Sequence, residues 1–536
     1  MDAMQIKEEI SNGRVYLGCE LGSTRIKMLL INALHEPVAT GVFDWENRLV
    51  NGVWTYTEAD IWTGIKGCYS DLRKDVKSKY GMGIKNLSAI GVSAMMHGYL
   101  PFNQNGDLLV PFRTWRNTMT ARAAQELSSL FAFNIPQRWS IAHLYQAILS
   151  DEPHVKDIAF ITTLAGYVHW KLTGLRVLGI ADASGMFPLE KGAFRFDGAM
   201  LKAFDQLVAK KAYPWKIADI LPGMLQAGES GGRLTRQGAQ LLDESGELDA
   251  GTECCPPEGD AGTGMVATNS IAIRTGNISA GTSIFAMIVL EKALRKPHPQ
   301  IDIIATPTGA TVGMVHSNNC TTDLNAWVVL FQELLEKMGM KASVDKLFET
   351  LYLAAMDGQK DCGGLLSYNF YAGEHIVDMD EGRPLMVRFP DAVLSLPNFM
   401  RMHLYSALAT LKIGLNILLE EEKVAIDRVF GHGGFFKTKG VGQSMLAAAM
   451  NVPVSVLKTA GEGGAWGMAV LAAYMQTRQN NESLDDYLSN RVFRGMQSET
   501  LPPNPDDVIG FERYFVQYKT GLEIAKTAAD VYKRQD

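Results

Sequence analysis

No block of lysine and arginine occurs anywhere in the 536 residues, and 51 basic against 58 acidic residues leave a net charge of −7. Nucleic acid and anionic membrane are therefore disfavoured as main partners. No apolar run approaches the ~18 residues that span a bilayer, and no basic segment followed by an apolar one marks a secretory leader, so a cytoplasmic protein is expected. The six cysteines, at 19, 68, 254, 255, 320 and 362, form no Cys-x-x-Cys pair. That argues against a disulfide framework and for reduced, partly buried thiols. There is no His/Cys metal constellation, no Gly-x-Ser-x-Gly elbow and no Gly-x-Gly-x-x-Gly after a strand. Zinc, serine-hydrolase and NAD chemistry thus lack their usual signatures.

What is present is ordinary globular composition, 47% hydrophobic and 20% charged. The length fits several domains of ~150 residues or a pair of large lobes. Alternating strand and helix patterns joined by short turns indicate α/β layers. Residues 1–13 read as a frayed polar leader. Thr57 is placed to cap a helix with Ile61, Ile65, Tyr69, Leu72 and Val76 on one face. A buried strand at 87–93 delivers Met95-Met96-His97 to its C-terminal end, where ligands of open α/β sheets tend to sit. A glycine-rich turn is expected at 258–264, a lobe boundary at 268–276, and a long amphipathic helix over 402–421.

The chain is organised around residues 16–31, two apolar strands joined by Gly22-Ser23-Thr24, with Lys27 after the turn and Glu20 before it. Backbone N–H groups, hydroxyls and a lysine around small residues suit a phosphate, and the carboxylate suits an accompanying Mg²⁺. Such a turn is by itself an ordinary hairpin, but the pattern recurs at 276–289 around Gly281-Thr282-Ser283. Two such hairpins would grip a polyphosphate from two sides. Phosphoryl transfer also needs a base for the attacking hydroxyl, and Asp260, flanked by Gly259 and Gly262, is the candidate, with a simple turn-forming role as the alternative. His97 is either a substrate contact or a structural hydrogen-bonding residue. Trp115-Arg116-Asn117 offers an aromatic face and forked donors for a polyol, although Trp and Arg also cap cores. Residues 431–438 nearly spell a phosphate-binding P-loop, but Phe436 stands where the last glycine is required. Gly433-Gly434 is read instead as backbone passing beside a flat adenosine.

With these residues in order, the chain resembles the FGGY carbohydrate kinases, a sugar-kinase branch of the actin-like ATPase fold, from about residue 15 to 475, and within them the xylulokinases. The resemblance implies an α/β fold of two actin-like (ribonuclease H-like) lobes with an interlobe nucleotide and sugar cleft. Residues 14–268 would form the sugar-binding lobe, 269–500 the ATP-binding lobe, and 501–536 a polar tail with no assigned role. Asp260 falls on the family's catalytic aspartate. Met96, His97, Trp115, Arg116 and Asn117 fall on its sugar contacts. ATP contacts would be Gly22, Ser23, Thr24, Lys27, Gly281, Thr282, Ser283, Gly433, Gly434, Phe435 and Gln443, with Glu20 at the Mg²⁺. Glu462-Gly463-Gly464-Ala465 matches an adenosine-side segment. Three positions depart from the family. Glu20 replaces an aspartate, Trp115-Arg116-Asn117-Thr118-Met119 lacks an acidic sugar contact, and Ala261 replaces an amide. The expected reaction is phosphorylation of a small sugar by ATP. D-xylulose is expected first, then another ketopentose such as ribulose, then a sugar acid or a glycerol-like polyol. The rival is an actin-like ATPase or nucleotide-driven binding protein that phosphorylates no sugar. Neither nucleic acid nor membrane is expected as a partner, and a homodimer is left open.

Overall fold

Residues 2–457, 463–496 and 498–532 are described by the computed structural model. The chain divides into two units, Met1–Ile271 with Asp302–Val312 and Glu462–Gly495, and Ala272–Ile301 with Gly313–Gly461 and Met496–Asp536. A single cut near residue 269 therefore does not describe it, because the chain returns to the first unit twice.

In the first unit, Tyr16–Leu21 and Arg25–Ile31 form an antiparallel hairpin, and Pro37–Asp44 extends it antiparallel. On the other side Tyr16–Leu21 pairs in parallel with Ala89–Ala94, which pairs in parallel with Glu253–Cys254 and Glu258–Gly259. The helix Glu58–Tyr80 covers this sheet. Thr57 caps it through a reciprocal box with Asp60, Gly81 ends it in the left-handed region, and Ile61, Ile65, Tyr69, Leu72 and Val76 are buried. The helix Gly463–Thr477 packs on Tyr16–Leu21, on Ala89–Ala94 and on the helix Asp260–Ala267. The opening residues are no frayed leader. Ala3–Ser11 is a helix held by a capping box between Asp2 and Gln5, and Ile10 reaches the core.

The second unit repeats the arrangement. Thr275–Ala280 and Ile284–Val289 form an antiparallel hairpin, and Thr275–Ala280 pairs in parallel with Arg428–His432. The sheet continues through Val454–Leu457 to an antiparallel edge strand, Ser498–Leu501. Its core helix, Leu396–Asn416, is buried along almost its whole length. Extended by a last wide turn to Glu421, it is the one helix among the described residues long and apolar enough to cross a membrane, with a mean hydropathy of 1.3 over an 18-residue window. Reading for uninterrupted apolar runs misses it, because Arg401, His403 and Lys412 break the run. Within the unit 72% of that window is buried. Residues 501–532, read from sequence as a polar tail with no assigned role, pack on the second unit. Phe511, Tyr514, Phe515 and Tyr518 bury one face of the helix Pro505–Thr520, and Arg401 on the core helix pairs with Asp507 at 2.9 Å.

Candidate active site

Three pieces of chain position Asp260. The short strand Glu258–Gly259 runs beside Ser93 and Ala94, and the backbone then passes directly into the helix Asp260–Ala267, capped by Gly259. The expected turn at 258–264 is thus a strand-to-helix junction, whose small residues allow the helix to pack closely. A hydrogen bond of 3.0 Å between the Ser93 and Thr263 hydroxyls ties helix to strand. Asp260 lies in the first helical turn, where the helix dipole favours a carboxylate, and its Oδ1 accepts from the Met96 N–H at 3.2 Å. Burial outweighs these donors and lifts the carboxyl to about 6. At neutral pH the group is ionised, yet far more basic than an exposed aspartate, which suits a general base.

Glu20 belongs to the same group. Its Oε2 accepts from the Ala465 N–H at 3.0 Å, in the first turn of the helix Gly463–Thr477. Burial and then the negative charge of Asp260 push Glu20 up to about 7, while the Ala465 and Gly464 N–H groups and the Lys27 ammonium pull it back. Lys27 is half-buried and sits directly across the ladder from Glu20. A Cβ on Gly464 would lie 2.4 Å from Glu20 Oε1, so glycine is needed for the helix to reach the carboxylate. The segment matched to the adenosine side therefore delivers Gly464 and Ala465 to Glu20 in the first unit. Glu462 lies outside the described residues.

Behind Asp260 stand two carboxyls that the sequence reading did not single out. Asp182 Oδ2 accepts from the Thr163 hydroxyl at 2.5 Å, and the Asp182 N–H donates to Glu258 Oε2 at 3.0 Å. Asp182 Oδ1 and Glu258 Oε1 have no hydrogen-bond partner among the described residues. Burial, with a contribution from the Asp260 charge, raises Asp182 to about 7. Burial and the charge of Asp182 hold Glu258 well above the carboxylate range. The available signal was an acid placed among small and apolar residues, as in Ile180-Ala181-Asp182-Ala183.

His97 follows the strand Ala89–Ala94 with φ +70°. It is buried, stacks on Trp139 with ring centroids 6.3 Å apart, and places Nδ1 3.1 Å from the Gly185 carbonyl. Burial and the nearby Arg138 charge lower it to about 3, so the ring is neutral and Nδ1 carries the proton donated to Gly185. Trp115 Nε1 donates to Ser23 Oγ at 3.1 Å, and Trp45 Nε1 donates to the Gly22 carbonyl at 2.7 Å. Two indoles thereby fix the Gly22-Ser23-Thr24 turn. Arg116 is exposed, its guanidinium 4.1 Å from the Trp54 ring centroid. Asn117 does not offer its amide to a ligand. Its Oδ1 accepts from the Trp54 N–H, and its Nδ2 donates to the Trp54 and Thr114 carbonyls, all at 2.9 Å. The side chain locks the loop rather than displaying donors.

In the second unit Gly281-Thr282-Ser283 forms the tip of its hairpin, closed by the Gly281 N–H donating to the Ser283 carbonyl at 2.9 Å. The Thr321 hydroxyl and the Cys320 N–H brace it through the Gly281 and Thr282 carbonyls. Gly433 has φ +97°, and a Cβ there would lie 2.4 Å from the Ala280 carbonyl oxygen, while Gly434 has open space around it. Phe435 is fully buried, so only its backbone remains for a nucleotide. Gln443 is also committed, its Nε2 donating to the Val454 carbonyl at 2.8 Å and the Glu499 carbonyl at 2.6 Å.

The model of the N-terminal domain of the FGGY family of carbohydrate kinases matches residues 15–245, and that of the C-terminal domain matches residues 276–476. A xylulose kinase of Haemophilus influenzae is 21% identical over 526 residues, 95% of this chain and 99% of that protein. A xylulose kinase of Escherichia coli K12 is 22% identical over 298 residues, and there the match spans 54% of this chain and 57% of the relative. Among solved structures, a ligand-bound xylulose kinase from Lactobacillus acidophilus aligns with a TM-score of 0.78 at 17% identity, covering 97% of this chain and 99% of that one. A gluconate kinase from the same organism aligns at 0.77, with the same identity and coverage. The Plasmodium falciparum glycerol kinase with ADP aligns at 0.74 and 14% identity, over 95% of this chain and 98% of that one. At such identities these structures establish the fold, the two-lobed actin-like architecture of sugar kinases. Both family domains matched in their proper order on that fold, the chain belongs to the FGGY family of carbohydrate kinases.

Proposed function

We propose that the protein phosphorylates a small sugar or polyol at the expense of ATP, with a ketopentose, D-xylulose first, as acceptor. The observation that carries this is Asp260, a carboxylate in a helical first turn, held by the Met96 N–H and raised to about 6, next to the turn that presents His97. The acceptor hydroxyl attacks the γ-phosphorus in line and gives its proton to Asp260. The new O–P bond forms as the bond from the γ-phosphorus to the β–γ bridging oxygen breaks, and ADP leaves. The neutral His97 ring and Trp115 are read as sugar contacts. Gly22-Ser23-Thr24 with Lys27, Gly281-Thr282-Ser283 and the backbone of Gly433-Gly434 are read as nucleotide contacts.

Among the described residues no three His, Cys, Asp or Glu side chains are placed to hold a metal ion by themselves, but Glu20 lies close enough to Asp260 for the Asp260 charge to raise it. Two hard oxygen donors, one of them also within reach of the Lys27 ammonium, fit a Mg²⁺ that keeps most of its shell as water and nucleotide phosphate. Bound there, the ion would neutralise charge on the transferring phosphoryl group. D-xylulose leads because Met96-His97 follows the xylulokinase pattern and xylulose kinases are among the relatives. The departures around 115–119 make other pentuloses, gluconate-like sugar acids and glycerol the alternatives.

ADP release should be followed against a panel of pentuloses, pentoses, hexoses, sugar acids and polyols. One acceptor class is expected to stimulate turnover. Asp260→Asn should lower that stimulated rate roughly 10²–10⁴-fold with ATP affinity unchanged. ATP turnover indifferent to every acceptor and to Asp260→Asn would overturn the proposal and favour the nucleotide-driven ATPase.

A further inference from the structure

The second unit contains a cavity of about 830 Å³ that the proposed reaction does not use. It opens among the core helix Leu396–Asn416, the C-terminal end of the helix Val441–Met450 and the helix Pro505–Thr520. Its size falls in the range of ~300–1,000 Å³ usual for small-molecule sites. Most of the wall is apolar, with Leu366, Phe389, Ala449, Ile509 and Val516 among the residues that form it. Ile509 and Val516 are half exposed at one side, so the cavity is reached from the surface.

Lys412 projects into this apolar setting from the core helix. It is only 9% exposed, and among the described residues its ammonium makes no hydrogen bond and no ion pair. Glu512 and Glu420 attract it from farther away, Lys519 opposes it, and burial draws its pKa below the ordinary lysine value. An ammonium held without a close counter-ion is costly. It marks a place where a ligand's negative charge would gain more than in water. Asp361, Glu512 and the exposed Arg513 line the same cavity. Asp361 is engaged with the Gly363 N–H at 3.2 Å.

We infer that the second unit binds a small amphipathic anion in this cavity, an aromatic or branched aliphatic body carrying a single carboxylate, sulfonate or monoester phosphate seated on Lys412. The apolar walls take the body. This site is separate from the reaction proposed above, and neither depends on the other.

The test is a fluorescence titration of the full chain with 8-anilinonaphthalene-1-sulfonate and with its uncharged counterpart, N-phenyl-1-naphthylamine. Wild type should bind one sulfonate saturably and at least ~10-fold more tightly than the neutral probe, the usual worth of a charge-assisted contact. Lys412→Met should bring the two affinities together. Because Lys412 is in the core helix, Val516→Trp provides a variant at an exposed wall position. It should block both probes while thermal unfolding and ATP binding stay as in wild type. Absence of saturable binding, a charge preference retained in Lys412→Met, or probe binding unchanged in Val516→Trp would each overturn the inference.

Discussion

Four carboxyl groups, Glu20, Asp182, Glu258 and Asp260, share one buried region of the first unit, and all are raised above the carboxylate range. Two consequences follow from the chemistry of single residues. If Asp260 is the base, it must be deprotonated to act. The pH profile of kcat/KM for the acceptor should therefore fall below a limb near pH 6 and level off above it. A limb near pH 4 would remove the perturbed aspartate from that role. The second consequence concerns stability. A carboxyl raised in the folded state binds a proton more tightly there than in the unfolded chain, so its contribution is present at low pH and lost as pH rises through the folded value. For Asp182 that window runs from about 4 to about 7. Asp182→Asn cannot ionise, so its stability relative to wild type should climb between pH 5 and pH 8, by on the order of 1–3 kcal/mol. Comparing denaturation midpoints of variant and wild type at each pH cancels the opposing effect of the buried, neutral histidines 35, 97, 143, 169 and 432. A difference independent of pH would show that Asp182 is not strained by its charge. Asp260 was legible in the sequence because glycines flank it. Asp182 was not, because nothing in its own neighbourhood announces a partner 78 residues away at Asp260.

At the scale of elements, each unit places a small-residue turn at the tip of an antiparallel hairpin whose first strand pairs in parallel with a later strand. The hairpins could be read from the apolar runs flanking Gly-Ser-Thr and Gly-Thr-Ser. The parallel partners could not, since they arrive from far along the chain. In the second unit, Gly433 lies against the end of the strand Thr275–Ala280, just before the hairpin tip. Gly433→Val would combine a disfavoured backbone conformation with a clash against the Ala280 carbonyl. It should cost about 1–3 kcal/mol or more of stability and weaken ATP binding at least ~10-fold through the displaced tip, as measured by calorimetry. ATP affinity equal to wild type would detach the hairpin tip from nucleotide binding. The exclusion of a P-loop at 431–438 rested on the bulk of Phe436. In the fold that ring packs over Gly431, filling space a phosphate cradle would need.

For the whole molecule, residues 498–532 close off the second unit. Ser498–Leu501 is an edge strand, and Pro505–Thr520 seals the core helix with an aromatic stack in which Tyr368 and Tyr518 lie 4.8 Å apart. Tyr514 is buried between these layers, near the Ser367 carbonyl at 3.3 Å. Tyr514→Ala should destabilise the second unit by roughly 3–5 kcal/mol, visible as an earlier transition in denaturant or new proteolytic cleavage within 496–532. Unchanged unfolding would mean that the terminal helix is dispensable. Its apolar face, Phe511, Tyr514, Phe515 and Tyr518, repeats at helical spacing and was available to a sequence reading. The charged residues in and around it, Asp506, Asp507, Glu512, Arg513 and Lys519, obscured it.

By itself the sequence determined the local elements and the chemistry they can carry. The apolar periodicity of 58–80, the two small-residue hairpin tips and Asp260 beside glycine all follow from forces acting over a few residues. Tertiary structure alone decided which distant groups meet. Gly464 and Ala465 reach Glu20, Asp182 and Glu258 stand behind Asp260, and the chain re-enters the first unit after residue 461. It also decided which polar side chains remain available, since Asn117 and Gln443 are spent on backbone that only folding brings to them. The physical reason is that a raised pKa or a satisfied amide depends on burial and on partners, and both are properties of packing rather than of sequence neighbours.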